Sequence, residues 1–375
     1  MPHPILRALM PAPADRPRVA LALALAVAGG TAGAWLGMPL PWMLGPMLVC
    51  GAASFAGLPV SGPNTIRPIV IPVIGVMLGA GFTPEILAQI NDWAVTFALL
   101  APFLAVAGTA SWLWFHRVGG YDGRTAFFSA APGGLAEMVV LGEAAGADAR
   151  RIALSHAVRV FLVVTLVAFG FALIEGTTTA GFDGAYTTFR EVGLWDAAVL
   201  LACAVVGGPL AKRLGLPAHG LFGPMLLSAA LHIGGIVTAA PPTVLVGIAQ
   251  VVMGTVLGCR FAGATLRETG RDMGLAAGAT VILLTVTLAF AGAVAVLSAA
   301  PWSQAVLAYS PGGLTEMSLL ALAKKQDVAY VATAHITRIA IILIAIQPVF
   351  RAMGNRWPPV AKPGTDDGPP RDPPG

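Results

Sequence analysis

Long apolar runs recur along this chain, and they constrain its fold more than any other feature of the sequence. Each is close to the 20 or so residues that a helix needs to cross about 30 Å of hydrocarbon; clear examples are Ala20–Leu36, Trp93–Phe115, Ile152–Ile174, Leu275–Leu297 and Ala329–Phe350. Only 11% of the residues are charged, whereas a soluble domain carries about 25%. Because backbone groups inside lipid must hydrogen-bond within their own segment, the sequence predicts an all-α integral membrane protein that has the lipid bilayer as its partner.

The other residue types argue against several classes of function. The net charge is +4, but the positive residues are scattered between apolar runs, which does not indicate nucleic-acid binding. The three cysteines stand singly in apolar surroundings and are predicted to be buried small side chains: Cys50, Cys203 and Cys259. No metal-ligand spacing, Walker loop, dinucleotide fingerprint or nucleophile elbow occurs. We therefore expect no enzyme activity, no cofactor and no metal.

The second half of the chain repeats motifs of the first half at a nearly constant offset. The paired segments are Gly37-Met-Pro39 with Gly215-Leu-Pro217, Gly45-Pro-Met-Leu48 with Gly223-Pro-Met-Leu226, and Pro132-Gly-Gly-Leu-Ala-Glu-Met138 with Pro311-Gly-Gly-Leu-Thr-Glu-Met317. Between Pro132 and Arg159, 12 of 28 positions match their counterparts, including Glu, Asp, His and Arg. Shared apolar composition does not place those polar residues in register, so we interpret the pattern as an internal duplication.

The duplication divides the chain into two membrane units and two tails. We expect repeat 1 over residues 19–175 and repeat 2 over residues 193–351, each with six apolar segments. The tails, residues 1–18 and 354–375, are rich in Pro and are predicted to be disordered. Ala20–Ala34 resembles a signal peptide, but its counterpart Asp196–Lys212 cannot be one, which indicates a first membrane span.

The distribution of Lys and Arg predicts how each unit crosses the membrane. If all segments cross, 11 Lys and Arg fall on one side and 9 on the other. If the fifth segment of each unit, which Pro-Gly-Gly interrupts, enters and leaves on one side, the split becomes 17 to 3, as the positive-inside rule requires. The second arrangement predicts two inverted repeats of about five transmembrane helices plus one discontinuous segment each, with both termini cytoplasmic.

The paired Gly-Pro-Met segments, and the paired Pro-Gly-Gly-Leu-x-Glu-Met segments that precede a His-x-x-Arg helix, resemble the AbrB family. The resemblance covers about Ala20 to Arg351. It implies a duplicated protein of the bacterial inner membrane. Members of the family are labelled as regulators, as ammonia monooxygenases or as transporters, and these labels conflict.

The candidate site consists of the two interrupted segments and the helices that follow them. Its residues are Pro132, Gly133, Gly134, Glu137, His156, Arg159, Pro311, Gly312, Gly313, Glu316, His335 and Arg338. A helix that begins after Pro-Gly-Gly leaves backbone N–H groups unpaired and favours an anion; the alternative is a tight bend that only serves packing. Ionisable residues at membrane depth indicate a functional site with a charged partner.

We name Arg159 or Arg338 as the partner of Glu137, with a purely structural ion pair as the alternative. His156 and Arg159 lie three residues apart on one helical face. Repulsion from the arginine disfavours a charged histidine, so hydrogen bonding between helices is favoured over a proton relay.

These observations predict a secondary transporter of a small, anionic solute, with proton coupling if the glutamates titrate. The alternative is an AbrB-type membrane regulator or sensor that affects gene expression without transport. A sensor usually needs a soluble output domain, and the stretches outside the apolar segments are short. The sequence leaves the solute, the coupling ion and the oligomeric state open, a homo-oligomer included.

Overall fold

The fold is a bundle of helices, as the apolar periodicity predicts. The computed structural model describes residues 12–84, 93–175, 188, 190–216, 218–264, 266–298, 300–324 and 326–354. Across these ranges every regular element is a helix, which confirms the all-α class. Most of the two predicted tails lies outside the described residues, although the first helix already begins at Arg16, within the predicted N-terminal tail.

The first half contains seven described helices in chain order. They are α1 Arg16–Trp35, α2 Pro41–Phe55, α3 Arg67–Ala80, α4 Ala94–Leu113 with a π-helical turn at Trp114–Val118, α5 Gly123–Ala130, α6 Leu135–Ala144 and α7 Ala149–Glu175. The interrupted segment is therefore a pair of short helices, α5 and α6, on either side of the Pro-Gly-Gly break.

The second half contains seven described helices in a similar order of lengths. They are α8 Leu194–Arg213, α9 His219–Ile233, α10 Thr243–Gly258 with a 3-10 turn at Cys259–Phe261, α11 Leu266–Leu297, α12 Trp302–Tyr309, α13 Leu314–Ala323 and α14 Val328–Gly354. Helices α1 and α8 each have 20 residues, α2 and α9 have 15, and α7 and α14 have 27. The second interrupted segment is the pair α12 and α13.

Seven of the described helices are long and apolar enough to cross a membrane, which supports membrane location. They are α1, α4, α7, α8, α10, α11 and α14. Helices α2, α3 and α9 are shorter apolar helices of 14–15 residues, about 22 Å long at 1.5 Å per residue. The three cysteines are buried and free of disulfides, as predicted.

Four glycines allow two pairs of helices to pack with their backbones almost touching. Helix α3 packs against α9, and α10 packs against α2. A Cβ placed at Gly75 would lie 2.6 Å from the carbonyl oxygen of Leu221, and one at Gly258 would lie 2.5 Å from that of Met47. Gly79 and Gly254 make the equivalent approaches. Small residues four apart are the usual means of close helix packing in lipid, and here they join the two halves reciprocally.

The two short-helix pairs differ in burial although their sequences match. In α6 only Met138 and Gly142 are buried, whereas in α13 seven of ten residues are buried. The first pair packs on α7 and the second on α14. The molecule is therefore asymmetric about the two breaks.

Candidate functional site

Both Pro-Gly-Gly breaks border one cavity of about 200 Å³, here called the central cavity. Pro132, Gly133 and Gly134 form part of its wall from the first half, and Pro311 and Gly313 from the second. Gly312 is not among the residues that line it. The rest of the wall comes mainly from α7, α10, α13 and α14. The structure thus brings together two helix starts that lie in different halves of the sequence.

Local chemistry explains why the chain breaks at these points. Proline has no N–H to continue the ladder of α5 or α12. Gly313 has φ +95°, a conformation that a side chain makes costly. The carboxylates of Glu137 and Glu316 fold back over Gly134 and Gly313, so that a Cβ at either glycine would collide with the carboxylate. Each carboxylate therefore lies beside the N-cap glycine of its own helix.

Arg159 and Arg338 hold the ends of the short helices α5 and α12. Arg159 Nη1 donates to the carbonyl of Ala131 at 3.0 Å and Nη2 donates to that of Gly133 at 3.2 Å. Arg338 Nη1 donates to the carbonyl of Ser310 at 2.8 Å. Ala131 and Ser310 are the C-caps of α5 and α12, where the helix dipole attracts a cation. Both arginines line the central cavity and are at most 5% exposed.

The two histidines lie behind the arginines and do not line the cavity. His156 Nδ1 accepts a hydrogen bond from Arg159 Nη2 at 2.8 Å, so its ring proton is on Nε2, which donates to the carbonyl of Phe128 at 2.9 Å. This geometry corresponds to a neutral imidazole. His335 bonds the carbonyl of Val331 through Nδ1 at 2.9 Å. Its Nε2 is buried without a partner among the described residues.

The Glu–Arg ion pair expected from the sequence is absent. Among the ion pairs of the described ranges, none joins Glu137 or Glu316 to an arginine. The guanidinium groups are instead directed toward the backbone carbonyls at the breaks, with which they hydrogen-bond. Glu316 borders the central cavity, whereas Glu137 does not.

Arg67 and Arg260 also line the central cavity, and sequence reasoning missed both. Arg67 begins α3 and Arg260 follows α10, and neither belongs to the candidate site predicted from the sequence. Their counterparts in the other half are Val246 and Gly81, so a search for repeated polar residues does not find them. The wall of the central cavity therefore carries four arginines and one carboxylate, that of Glu316.

A second cavity of about 440 Å³, here called the vestibule, adjoins the central cavity. Both cavities share four lining residues, Arg67, Leu135, Val256 and Arg260. The vestibule is lined by no Asp or Glu among the described residues. It lies at the end of the bundle where α3 begins and α10 ends, which the positive-inside pattern predicts to face the cytoplasm.

Aromatic side chains pack together near the starts of α4 and α14. Tyr309 donates a hydrogen bond to the carbonyl of Thr96 at 2.6 Å, and the Thr96 and Tyr330 hydroxyls lie 2.6 Å apart. The Trp93 ring packs edge-on against Tyr330. Both tyrosines are fully buried. These four residues form a packed cluster that does not line the central cavity.

No group of three or more His, Cys, Asp or Glu with metal-binding proximity occurs in the part of the chain that the structure describes. The site is instead an arginine-rich cavity built on helix breaks. Its groups can bind an anion through guanidinium and backbone N–H donors.

Comparison with known proteins finds a family model and relatives that match most of the chain. The model of the family described as "Transition state regulatory protein AbrB" matches residues 42–354. The chain is similar to "Putative regulator AbrB" of Escherichia coli, with 25% identity over 86% of this chain and 92% of that protein. It is also similar to "Uncharacterized protein YhjN" of Bacillus subtilis, with 26% identity over 87% of this chain and 90% of that protein. No solved structure matches the chain.

Proposed function

The chain belongs to the AbrB family, and we propose that it is a secondary transporter of a small anionic solute across the bacterial inner membrane. One observation carries the proposal: the two helix breaks, four arginines and one glutamate line a single cavity inside a bundle of apolar helices. The proposal assigns no catalytic chemistry to the chain.

The packing of the helices supports an inverted duplication with about five crossings per half. Helix α2 packs on α10 and α9 packs on α3, so equivalent helices of the two halves exchange equivalent contacts. The Lys and Arg distribution favours both termini in the cytoplasm. Transporters of this architecture bind their solutes where the repeats meet, near discontinuous helices. This link is an analogy of architecture, and the charge of the site provides the independent argument.

An anion fits the central cavity because positive groups outnumber negative ones there. Arg159 and Arg338 are nearly buried, and a buried charge is costly unless it is compensated. The starts of α6 and α13 add unpaired N–H groups at the same place. A cationic solute would meet repulsion from all of these groups.

Proton coupling is the finer part of the proposal, and it concerns Glu316. Its carboxylate is the one acidic group among the described residues of the cavity wall. Protonation would remove the only negative charge that repels an entering anion, so a proton and the anion would bind together. Anion uptake should then increase when the side from which the anion enters is acidified.

The proposal can be tested by uptake into proteoliposomes with phosphate, sulfate, succinate and lactate as probes. Leu135 lines both cavities, so Leu135→Trp should fill the junction and abolish saturable uptake. Val140→Trp is the matched control, because Val140 lies on the same helix, is 64% exposed and lines neither cavity. No accumulation of any probe, or equal uptake by Leu135→Trp and wild type, would contradict transport through this site.

The pH dependence of uptake tests the coupling separately. Glu316→Gln should transport without dependence on an imposed pH gradient. Glu137→Gln is the control, since Glu137 does not line the cavity, and it should retain the dependence. A gradient dependence that survives in Glu316→Gln would exclude Glu316 as the coupling group.

Regulation is the second candidate function, and the names of the family and of one relative favour it. Both the family description and the E. coli relative carry the word regulator or regulatory. The variants are expressed in a strain of the native host that lacks the protein, and transcript levels are measured. If Leu135→Trp restores the wild-type transcript levels, regulation does not depend on transport. If only the wild type and Val140→Trp restore them, any regulatory effect is a consequence of transport.

A further inference from the structure

Resting on the proposed transport of an anion, we infer that the solute carries at least two negatively charged groups. One group binds at the helix breaks beside Arg159 and Arg338. The other binds at the mouth of the cavity between Arg67 and Arg260. Small dicarboxylates and phosphorylated carboxylates have this chemistry.

The charge balance of the central cavity supports a multivalent anion. Its wall holds four arginines against the single carboxylate of Glu316. With Glu316 ionised, a monovalent anion would leave a formal charge of +2 among the described residues of the wall and a divalent anion would leave +1. With Glu316 protonated these values become +3 and +2, so the divalent anion leaves less excess charge in either state. Uncompensated charge in such surroundings is unfavourable, so the site favours the higher valence.

The arginines form two pairs at different depths. Arg338 acts electrostatically on Arg159, and Arg67 acts on Arg260, where the carboxylate of Glu316 offsets part of the positive charge. The inner pair is at most 5% exposed, and it lines the central cavity and not the vestibule. The outer pair lines the vestibule as well. The inner pair carries a formal charge of +2, and the outer pair together with Glu316 carries +1. An anionic group at each of the two positions therefore reduces the excess charge there.

The inner arginines retain donors for a ligand. A guanidinium has five N–H donors. Arg159 uses its two terminal nitrogens on Ala131, Gly133 and His156, and Arg338 uses Nη1 on Ser310. The Nε atoms of both are buried and have no hydrogen-bond partner among the described residues. The carbonyl contacts therefore orient the two guanidinium groups and leave part of their donor capacity free.

The outer pair has hydrogen-bond donors available as well. Arg67 and Arg260 both lie at the same end of the bundle. No hydrogen bond or ion pair in the described part of the chain engages the guanidinium of Arg67, whose Nε is buried without a partner. The equivalent positions of the other half hold Val246 and Gly81, which carry no charge. A solute with two anionic groups would thus bind in one orientation, with its second group toward the vestibule.

Matched pairs of probes that differ in valence test this inference. The purified protein in nanodiscs is titrated calorimetrically with succinate and succinamate, and with glutarate and glutaramate, each pair having nearly equal size. The wild type should bind each dianion about 10- to 100-fold more tightly than its monoamide, the range for a hydrogen bond to a charged group. One ligand should bind per chain.

The outer arginines should determine this ratio. Arg67→Gln and Arg260→Gln should bring the ratio of dianion affinity to monoamide affinity close to one, while the affinity for the monoamide changes little. Arg260→Lys should keep most of the wild-type ratio, because it keeps the charge. Arg213→Gln is the control, because it removes an equal charge from the end of α8, where the side chain lines neither cavity.

The outcomes separate this inference from the proposed function. Equal affinity for dianions and monoamides, a ratio unchanged in Arg67→Gln and Arg260→Gln, or two monoamides bound per chain would overturn the valence assignment and leave anion binding intact. Absence of binding by all four probes, together with no uptake of any probe in proteoliposomes, would overturn both.

Discussion

Replacing Arg159 with glutamine should destabilise the fold more than the same replacement of Arg338. Arg159 makes three hydrogen bonds, at 3.0 Å to Ala131, 3.2 Å to Gly133 and 2.8 Å to His156. The structure gives Arg338 one such bond, at 2.8 Å. A hydrogen bond to a charged group contributes about 1.5–3 kcal/mol, and bonds from one group are not additive. We expect losses of roughly 3–5 kcal/mol for Arg159→Gln and roughly 1.5–3 kcal/mol for Arg338→Gln.

The partners of Arg159 can be identified by double-mutant cycles. His156→Phe combined with Arg159→Gln should show a coupling of about 0.5–3 kcal/mol, because the two side chains are bonded. Glu137→Gln combined with Arg159→Gln should be additive within about 0.5 kcal/mol, because the structure has no ion pair between them. The free energy of unfolding is measured by equilibrium denaturation in mixed micelles.

A strong coupling of Glu137 with Arg159, and none of His156 with Arg159, would refute this account of the break. It would instead support the buried ion pair that the sequence suggests. Equal losses in Arg159→Gln and Arg338→Gln would show that the additional hydrogen bonds of Arg159 contribute nothing.

Three further predictions concern packing, backbone strain and topology. Gly258→Leu should abolish monodisperse protein in size-exclusion chromatography, since its Cβ would approach a carbonyl of α2 to 2.5 Å, whereas Gly247→Leu on the same helix has open space and should be tolerated. Gly313→Ala should lower the free energy of unfolding by roughly 1–3 kcal/mol, because alanine is strained at φ +95°; unchanged stability would contradict that conformation. An impermeant thiol reagent applied to whole cells should label a cysteine at Thr178 and not one at Gly119, and the reverse pattern would exclude the inverted topology.

Much of the site could be located from the sequence because its signals are local. Pro-Gly-Gly combines a missing backbone N–H with two residues of low helix propensity, so Pro132 and Pro311 indicate where the two interrupted segments break. Single prolines elsewhere, such as Pro46 and Pro224, lie within helices. The repeated His-x-x-Arg spacing places Arg159 and Arg338 on the helices that follow. An inverted arrangement would place equivalent segments about a common axis, and both breaks do border one cavity.

The sequence by itself determined that the chain forms membrane helices. Its long apolar runs and few charged residues are suited to lipid and not to water. Only the tertiary structure decided which polar residues meet. Arg67 and Arg260 belong to no repeated motif and reach the cavity because α3 and α10 bring opposite ends to the same side of the bundle.

The tertiary structure also decided the surroundings of the two glutamates, which occupy equivalent positions in the sequence. Glu316 borders the cavity and Glu137 does not, because the hairpin of α13 is packed into the bundle while that of α6 is exposed. Sequence patterns are local and repeat identically, whereas packing between distant helices can place two identical motifs in different environments.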